Sequence, residues 1–255
     1  MRPMLQHTQL IPQFISCVVH MDVDLSLTQM GYIALANYKL LSFDKIPSTQ
    51  DYALELIASG RATDHTAVLA AAQSAGRGRM RRTWVSHHGN VYISFIYASP
   101  ERDARLSYAV AVAIAETIAS FGIHPTIKWP NDILVNGKKI AGTLIEYSGN
   151  FVVVGIGINV NSNPTVDRYK TTKMDNFAEI PMNELLNRLM RNMDKWRRAD
   201  FRAVRARWTE LAACINCPVK YQGESAELIG INENGALVLR RGSRYLLVYG
   251  DEISV

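Results

Sequence analysis

Leu106, Ala109, Val110, Ala113, Ile114, Thr117, Ile118 and Phe121 recur at the 3.6-residue period of an α-helix, and Gly122 closes the run. An apolar face of that length has to be covered, so this segment commits the chain to a helix packed on a second layer. The residues that follow supply the layer. A short strand leads to Trp129, then come Ile133-Leu134-Val135, Asn136-Gly137 and an apolar run from Ile140 to Tyr147. Asn-Gly between two apolar runs reads as a two-residue hairpin, because both residues tolerate the positive φ of a type I′ turn. Ser148-Gly149-Asn150 turns the chain again into a strand from Phe151 to Val160. The middle of the chain is therefore an antiparallel meander carrying a helix, an α+β arrangement.

The flanks are less regular. Ser48 reads as a helix N-cap with Asp51 three residues on; Leu54, Ile57 and Ala58 share a face before Gly60. Ala67 to Ala72 and Val91 to Tyr97 read as strands. A helical pattern starts at Met182 and Leu185 and runs to Trp208 and Leu211, with a break near Asp200. After Cys217-Pro218, short strands separated by Gly223, Gly230, Gly235, Gly242 and Gly250 read as a small β-barrel. Before about Leu40 there is neither periodicity nor a cap. The expected organisation is an N-terminal extension open to disorder (1–39), a catalytic unit (40–213) and a C-terminal barrel (214–255).

Composition narrows the class. With 48% hydrophobic and 20% charged residues the chain has the make-up of an ordinary globular protein. It holds no apolar run of 18 residues, so no membrane span is expected. The first residues make a poor targeting signal, which points to the cytoplasm. Three cysteines leave no fully paired framework; Cys214 and Cys217 lack further ligands for zinc and read as two half-buried thiols. Between Arg191 and Trp208 lie seven basic and two acidic residues, an excess as large as the net charge of +5. Arg191, Lys195, Arg198, Arg202 and Arg205 fall at helical spacing, and such a face is ordinarily just solvated.

Three segments carry chemistry. In Gly76-Arg77-Gly78-Arg79, with Arg81 and Arg82 beyond, glycines expose backbone N–H groups and arginines offer forked donors to carboxylate or phosphate. The Lys-Ser/Thr ending of a P-loop is missing. From these residues alone, an anion-binding loop and a flexible basic or RNA-contacting loop balance evenly. In Lys128-Trp129-Pro130-Asn131-Asp132, followed by Lys138-Lys139, a lysine at a strand end can act as a point charge on a phosphoryl or carboxylate oxygen. Asn131 and Asp132 can hold a metal or orient Lys139, and a polar turn is the plainer alternative. Gly155-Ile156-Gly157-Ile158-Asn159 puts glycines in a β-branched strand, which signals a close neighbour or a bulge.

In this order the three segments resemble the biotin protein ligase family. The glycine-arginine segment running to Arg82 and Trp84 is similar to the family's first signature. Lys128-Trp129-Pro130-Asn131-Asp132, with Lys139-Ile140-Ala141-Gly142 and Leu144, Ile145 and Glu146 after it, is similar to its highly specific lysine signature. The glycine strand matches as well, as do Ser48-Thr49, Gly235-Ala236-Leu237 and Gly250-Asp251-Glu252-Ile253, so the likeness covers about residues 43–255. It implies a mainly antiparallel mixed sheet flanked by helices, like that of class II aminoacyl-tRNA synthetases, followed by a small Src-homology-3-like barrel. It implies ATP, biotin and Mg²⁺ as cofactors and a biotin carboxyl carrier protein as partner, in a monomer or homodimer. Ser48, Thr49, Gln50, Gln73, Gly76, Arg77, Gly78, Arg79, Lys128 and Gly142 would contact biotin. Arg79, Arg82, Trp84, Asn131, Lys139 and Asn159 would surround the nucleotide, and Asp132 is the candidate metal ligand. Lys128, Arg77 and Arg79 would be catalytic.

Two departures stand out. Met80-Arg81 falls where many relatives have a glycine, which stiffens the loop, and the family's DNA-binding N-terminal domain has no counterpart, so no DNA partner is expected. The implied reaction joins biotin to ATP as biotinyl-5′-AMP and passes it to a carrier lysine. Four arginines within six residues repel one another, so this loop is expected to be mobile until the adenylate orders it as a lid. A lipoyl or octanoyl transferase of similar fold and a basic RNA-binding module are the alternatives; the lysine signature speaks against the first, and the lack of aromatic residues among the arginines against the second. Because the first residues lack packing signals, a chain beginning at Met30 is expected to remain soluble and to keep ligase activity in a biotin-transfer assay. An insoluble or inactive product would overturn that expectation.

Overall fold

The computed structural model describes residues 38–167 and 169–249. Most of the N-terminal extension and the Gly250-Asp251-Glu252-Ile253 motif therefore lie outside the described residues. One sheet has seven strands in the order β1-β2-β3-β7-β6-β5-β4. They are β1 (Lys39–Ile46), β2 (Thr66–Gln73), β3 (Val91–Ala98), β4 (Pro125–Lys128), β5 (Asp132–Val135), β6 (Lys138–Ser148) and β7 (Phe151–Ile158). Only β1 and β2 run parallel; the other pairings are antiparallel, as the meander requires. The hairpin at Asn136-Gly137 has φ of 50° and 70°, the left-handed pair that its residue types favour. β1 has no counterpart in the sequence reading. Ser42, Asp44 and Lys45 break its apolar alternation, which an edge strand allows. Tyr38 just before it is buried, with its hydroxyl 2.8 Å from Tyr97 Oη and donating to Asp194 at 2.7 Å, so the packed unit starts ahead of residue 40.

Helix α1 (Thr49–Ala58) covers one face of the sheet. α2 (Leu106–Ala119), α3 (Met182–Arg197) and α4 (Phe201–Leu211) lie on the other. α2 is buried nearly all round rather than along a stripe: every residue from Tyr108 to Ala115 is covered, by the sheet below and by α3 and α4 above. In α1 the Ser48 Oγ accepts from the Asp51 N–H at 3.2 Å, as a cap should. Its buried positions are Thr49, Gln50, Ala53 and Leu56, not the Leu54, Ile57 and Ala58 face expected from hydrophobicity. The stripe is displaced because two polar residues, needed elsewhere, occupy its first turn.

The basic segment also differs from expectation. The helix breaks at residues 198–200, and Asp200 caps α4 by accepting from the Arg202 N–H at 2.7 Å, so the cations divide between two helices. Lys195 is not simply solvated: with Trp196 and Arg207 it converges on Glu116 of α2, at 2.9, 2.9 and 3.0 Å. Beyond α4, Cys214 and Cys217 face each other across a turn where Asn216 has φ of 56°, with their Cα atoms 5.7 Å apart. β8 (Cys217–Tyr221), β9 (Glu224–Ile231), β10 (Leu237–Arg241) and β11 (Arg244–Val248) form a four-stranded antiparallel sheet in the order β11-β10-β9-β8. Its Val219, Leu228, Leu237 and Leu239 merge into the core around α2, and the Gly235 carbonyl accepts from Tyr108 Oη at 2.9 Å. Among the described residues no helix is long and apolar enough to cross a membrane.

Burial alone would raise the pKa of Glu116, but its bonds from Lys195, Trp196 and Arg207 outweigh it and hold the carboxyl below its usual range. A depressed carboxylate contributes stability above its unfolded pKa, and that contribution is lost as pH falls through the folded value. Glu116→Gln is expected to cost on the order of 1–3 kcal/mol at pH 7, read by denaturant unfolding. The gap from the parent should begin to narrow as the pH falls below about 4 and should close only after the pH has passed the depressed folded value. A gap that persists unchanged into acid would show that the carboxylate charge is not what joins the three helices.

Candidate active site

The two faces of β3, β6 and β7 have different fates. Val152, Val154, Ile156 and Ile158 of β7 point into the core under α2, together with Val91, Ile93, Phe95 and Tyr97 of β3. On the opposite face, Val153 and Ile96 pack under α1. Further along that face β7 has only Gly155 and Gly157, in register with Ser94 and Tyr92 on one side and with Leu144 and Gly142 on the other. Missing side chains there leave a cavity of about 450 Å³, a size suited to a small molecule. A Cβ at Gly155 would lie 2.5 Å from Gln50 Oε1, and one at Gly157 would lie 2.5 Å from the Trp84 ring. The close neighbours implied by glycines in this strand are thus a glutamine and an indole.

One end of the cavity is neutral and rich in hydrogen bonds. Thr49 donates to Gln73 Oε1 from its backbone N–H at 2.8 Å and from its hydroxyl at 3.2 Å, and Gln73 Nε2 donates to Ser86 Oγ at 2.8 Å. Ser94 Oγ lies 2.9 Å from Thr49 Oγ1 and 3.1 Å from Gln50 Oε1. Gln50 Nε2 donates to Glu146 at 2.9 Å. Ser48, Thr49, Gln50 and Ser94 are all buried, so these bonds are what make their burial tolerable.

The other end is cationic. Lys128 and Asp132 face each other where β4 turns into β5 around a cis Trp129–Pro130 peptide. Lys139 pairs with Asp132 at 2.5 Å, with its ammonium 5.3 Å from the Trp84 ring centroid and 5.0 Å from that of Tyr169. Asn131 donates to the Thr143 carbonyl at 2.8 Å and accepts from Arg79 at 3.2 Å. Among the described residues Lys128 has no ion-pair partner, unlike Lys139 and Arg77.

The arginine loop is a tight hairpin rather than a patternless stretch. Gly78 N–H donates to the Arg82 carbonyl at 2.7 Å and Trp84 N–H to that of Gly76 at 2.8 Å. Arg77 reaches Asp51 at 2.5 Å and Glu146 at 2.8 Å. Burial opposes the Arg77 charge, but the bonds to Glu146 and Asp51 outweigh it and lift its pKa above the ordinary arginine value. These two anchors were not part of the expectation of a mobile loop.

The cavity wall includes Ser48, Thr49, Gln50, Gln73, Arg77, Gly78, Arg79, Arg82, Trp84, Lys128, Asn131, Asp132, Lys139 and Gly142. It does not include Gly76 or Asn159. Gly76 is buried behind the loop, where a Cβ would come within 2.3 Å of the Trp84 carbonyl. Asn159 lies beneath the wall and donates to the Thr172 carbonyl at 3.0 Å. Among the described residues no three His, Cys, Asp or Glu side chains gather as a metal site.

Several participants were missed. Ser94 could have been found as a lone hydroxyl in an apolar strand. Asp51 and Glu146 were noticed only as a helix-start residue and part of a motif. Tyr169 and Lys170 arrive on a segment with no pattern. Its root is held by Asn90 Oδ1, which accepts from the N–H groups of Val160, Asn161 and Ser162 at 2.8, 3.0 and 3.1 Å.

The cavity thus has a neutral hydrogen-bonding end and a cationic end, the second suited to an anion. Residues 42–163 match the Biotin/lipoate A/B protein ligase family. The chain is 44% identical over 135 residues to the bifunctional ligase/repressor BirA of Bacillus subtilis, a match spanning 49% of this chain and 41% of that protein. The chain thus spans about two fifths of that relative's length. It is 32% identical over 200 residues to the biotin–[acetyl-CoA-carboxylase] ligase of Paracoccus denitrificans, covering 68% of this chain and 83% of the relative. The chain belongs to the biotin protein ligase family. The biotin protein ligase of Aquifex aeolicus, solved with biotin and ATP, shares the fold with a TM-score of 0.75 at 24% identity, over 85% of this chain and 97% of that one.

Because Gly157 is where the indole rests, Gly157→Ala is expected to push Trp84 off the sheet and weaken nucleotide binding about tenfold or more while the fold survives, a size typical of a displaced aromatic contact. Titration with ATP or a non-hydrolysable analogue reads this directly. Unchanged affinity would show that Trp84 does not contact a nucleotide.

Proposed function

We propose that this chain activates biotin with ATP to give biotinyl-5′-AMP and transfers the biotinyl group to a lysine of a biotin carboxyl carrier protein. The observation that carries the reading is the division of one cavity into a neutral hydrogen-bonding end and a cationic end. Biotin has a matching division, an uncharged ring that gives and accepts hydrogen bonds and a carboxylate on a chain. With the ring against Thr49, Gln50, Gln73 and Ser94, the carboxylate extends toward Lys128. In the first step a carboxylate oxygen attacks the α-phosphorus of ATP, and the bond to the bridging oxygen of pyrophosphate breaks. Lys128 and Arg79 stabilise the charge that builds there, by position and electrostatics. In the second step the lysine amine attacks the carbonyl carbon of the mixed anhydride and AMP leaves. Closure of the arginine loop protects the anhydride from water.

Mg²⁺ fits this site as a passenger on the triphosphate. Asp132 is the acid on the cavity wall and Lys139 already pairs with it, which suits an ion bound mainly by phosphate and water, where it would draw charge onto pyrophosphate. A purely aliphatic acyl chain would leave the polar row at the neutral end unsatisfied, which disfavours a lipoyl or octanoyl transferase. Arg77 and Arg79 of the 76–84 loop bond inward to Asp51, Glu146 and Asn131, which disfavours an RNA-binding surface. We assign the chemistry to a class II synthetase-like unit that begins at Tyr38 and runs to 213, acting in the cytoplasm, with the strands of 217–248 as a small Src-homology-3-like barrel beside it.

Incubation with ATP, biotin and a carrier domain should yield a carrier heavier by one biotinyl group. Lys128→Ala is expected to lower adenylate formation by roughly a hundredfold or more, the scale of losing one fixed donor to a developing negative charge, without altering the thermal melt. Normal pyrophosphate release by that folded variant would refute the role of Lys128.

A further inference from the structure

Glu146 stands behind the cavity wall, and its carboxylate joins two parts of the site that are otherwise separate. One oxygen accepts from Gln50 Nε2 at 2.9 Å and the other from Arg77 at 2.8 Å. We propose that Glu146 is a positioning residue that sets the direction of the buried hydrogen-bond row and, through Arg77, docks the arginine loop. The proposal rests on the reading of the cavity as the biotin and ATP site.

The argument follows the protons. A carboxylate only accepts, so it obliges Gln50 to turn its NH₂ toward Glu146 and its oxygen toward Ser94. At the far end of the row Thr49 spends its hydroxyl proton on Gln73 Oε1, Gln73 donates to Ser86, and Ser86 donates to the Trp84 carbonyl at 2.8 Å. Ser94 has one proton left for two acceptors, Thr49 Oγ1 and Gln50 Oε1. The row is therefore one donor short, and a ligand N–H is what completes it. A neutral amide at position 146 loosens that constraint, since it can accept from or donate to Gln50, and only the long 3.5 Å bond from Gln50 Nε2 to the Val153 carbonyl still favours one direction. The same carboxylate meets the Arg77 guanidinium together with Asp51, so the charge of Arg77 is already matched by two acids before any substrate arrives. Arg77 thereby serves as the anchor of the loop, and the cationic duty toward substrate stays with the other end of the cavity.

Glu146→Gln in the full chain tests both halves. The KM for biotin is expected to rise roughly tenfold, the scale of one hydrogen bond that depends on a charged partner, while the KM for ATP stays within about twofold. Amide exchange across residues 76–84 of the unliganded protein should become faster. Asp51→Asn should speed loop exchange as well but leave the biotin KM nearer the parent value, since it does not touch the row. If biotin KM and loop exchange both match the parent in Glu146→Gln, the proposal is overturned. Equal rises in both KM values with a lowered Tm would overturn it too, leaving Glu146 a merely structural residue. Should Glu146→Gln fail to fold, Arg77→Gln removes the other end of the same pair, and unchanged loop exchange in that variant defeats the proposal. A parent protein that forms no biotinyl-adenylate would defeat the functional reading instead, with the exchange comparison still standing.

Discussion

Two absent side chains on one face of β7 shape everything around the cavity. A strand in the middle of a sheet normally presents side chains to both faces, and its neighbours pack on them. Here the core face keeps its full row of β-branched residues, whereas the other face ends at Val153 and continues as Gly155 and Gly157. Gln50 and Trp84 come down onto the vacated backbone, one from the helix and one from the loop. The separation between the two sites of contact is the spacing of residues two apart in a strand, so the glutamine and the indole are held at a distance set by the backbone itself.

Such an arrangement would be costly without support from the opposite face. Polar groups buried at Thr49, Gln50 and Ser94 hold their geometry only if the strands under them do not move. That stiffness comes from α2, which is buried nearly all round between sheet and helices, and from its Glu116, which draws α3 and α4 down onto it. The C-terminal sheet adds to the same core through Val219, Leu228 and Leu237, and reaches α2 through Tyr108. Core and cavity are therefore the two sides of the same three strands.

This division explains what could be read in advance. The meander, α2 and the Asn136-Gly137 turn were legible because each depends on local periodicity or turn chemistry, which tertiary packing then reinforces. β1 was not, since an edge strand need not alternate, and α1 was placed with the wrong face inward because its function puts Thr49 and Gln50 where hydrophobic residues would otherwise go. At the site, Lys128, Asn131 and Lys139 were legible as one contiguous motif. Glu146, Asp51 and Ser94 were not, because each matters through a partner far away in sequence: Arg77 is 69 residues from Glu146 and 26 from Asp51. A single sequence shows residue types and spacings but not which distant groups share a proton.

The arginine loop brings these strands of argument together. Its tip holds Met80 and Arg81 at φ of 54° and 57°, a left-handed pair without a glycine, at a cost of roughly 1–2 kcal/mol each. The backbone bonds at Gly78 and Trp84 and the double ion pair of Arg77 work against that cost. The ion pair is half-exposed, so its contribution is modest and is weakened further by salt. A loop balanced between backbone strain and screened ion pairs is tied down only loosely, and a ligand that adds an anion and an apolar surface can shift it. The non-glycine tip thus makes the folded-over state harder to hold unaided and leaves more of its closure to depend on whatever anion the cavity takes up.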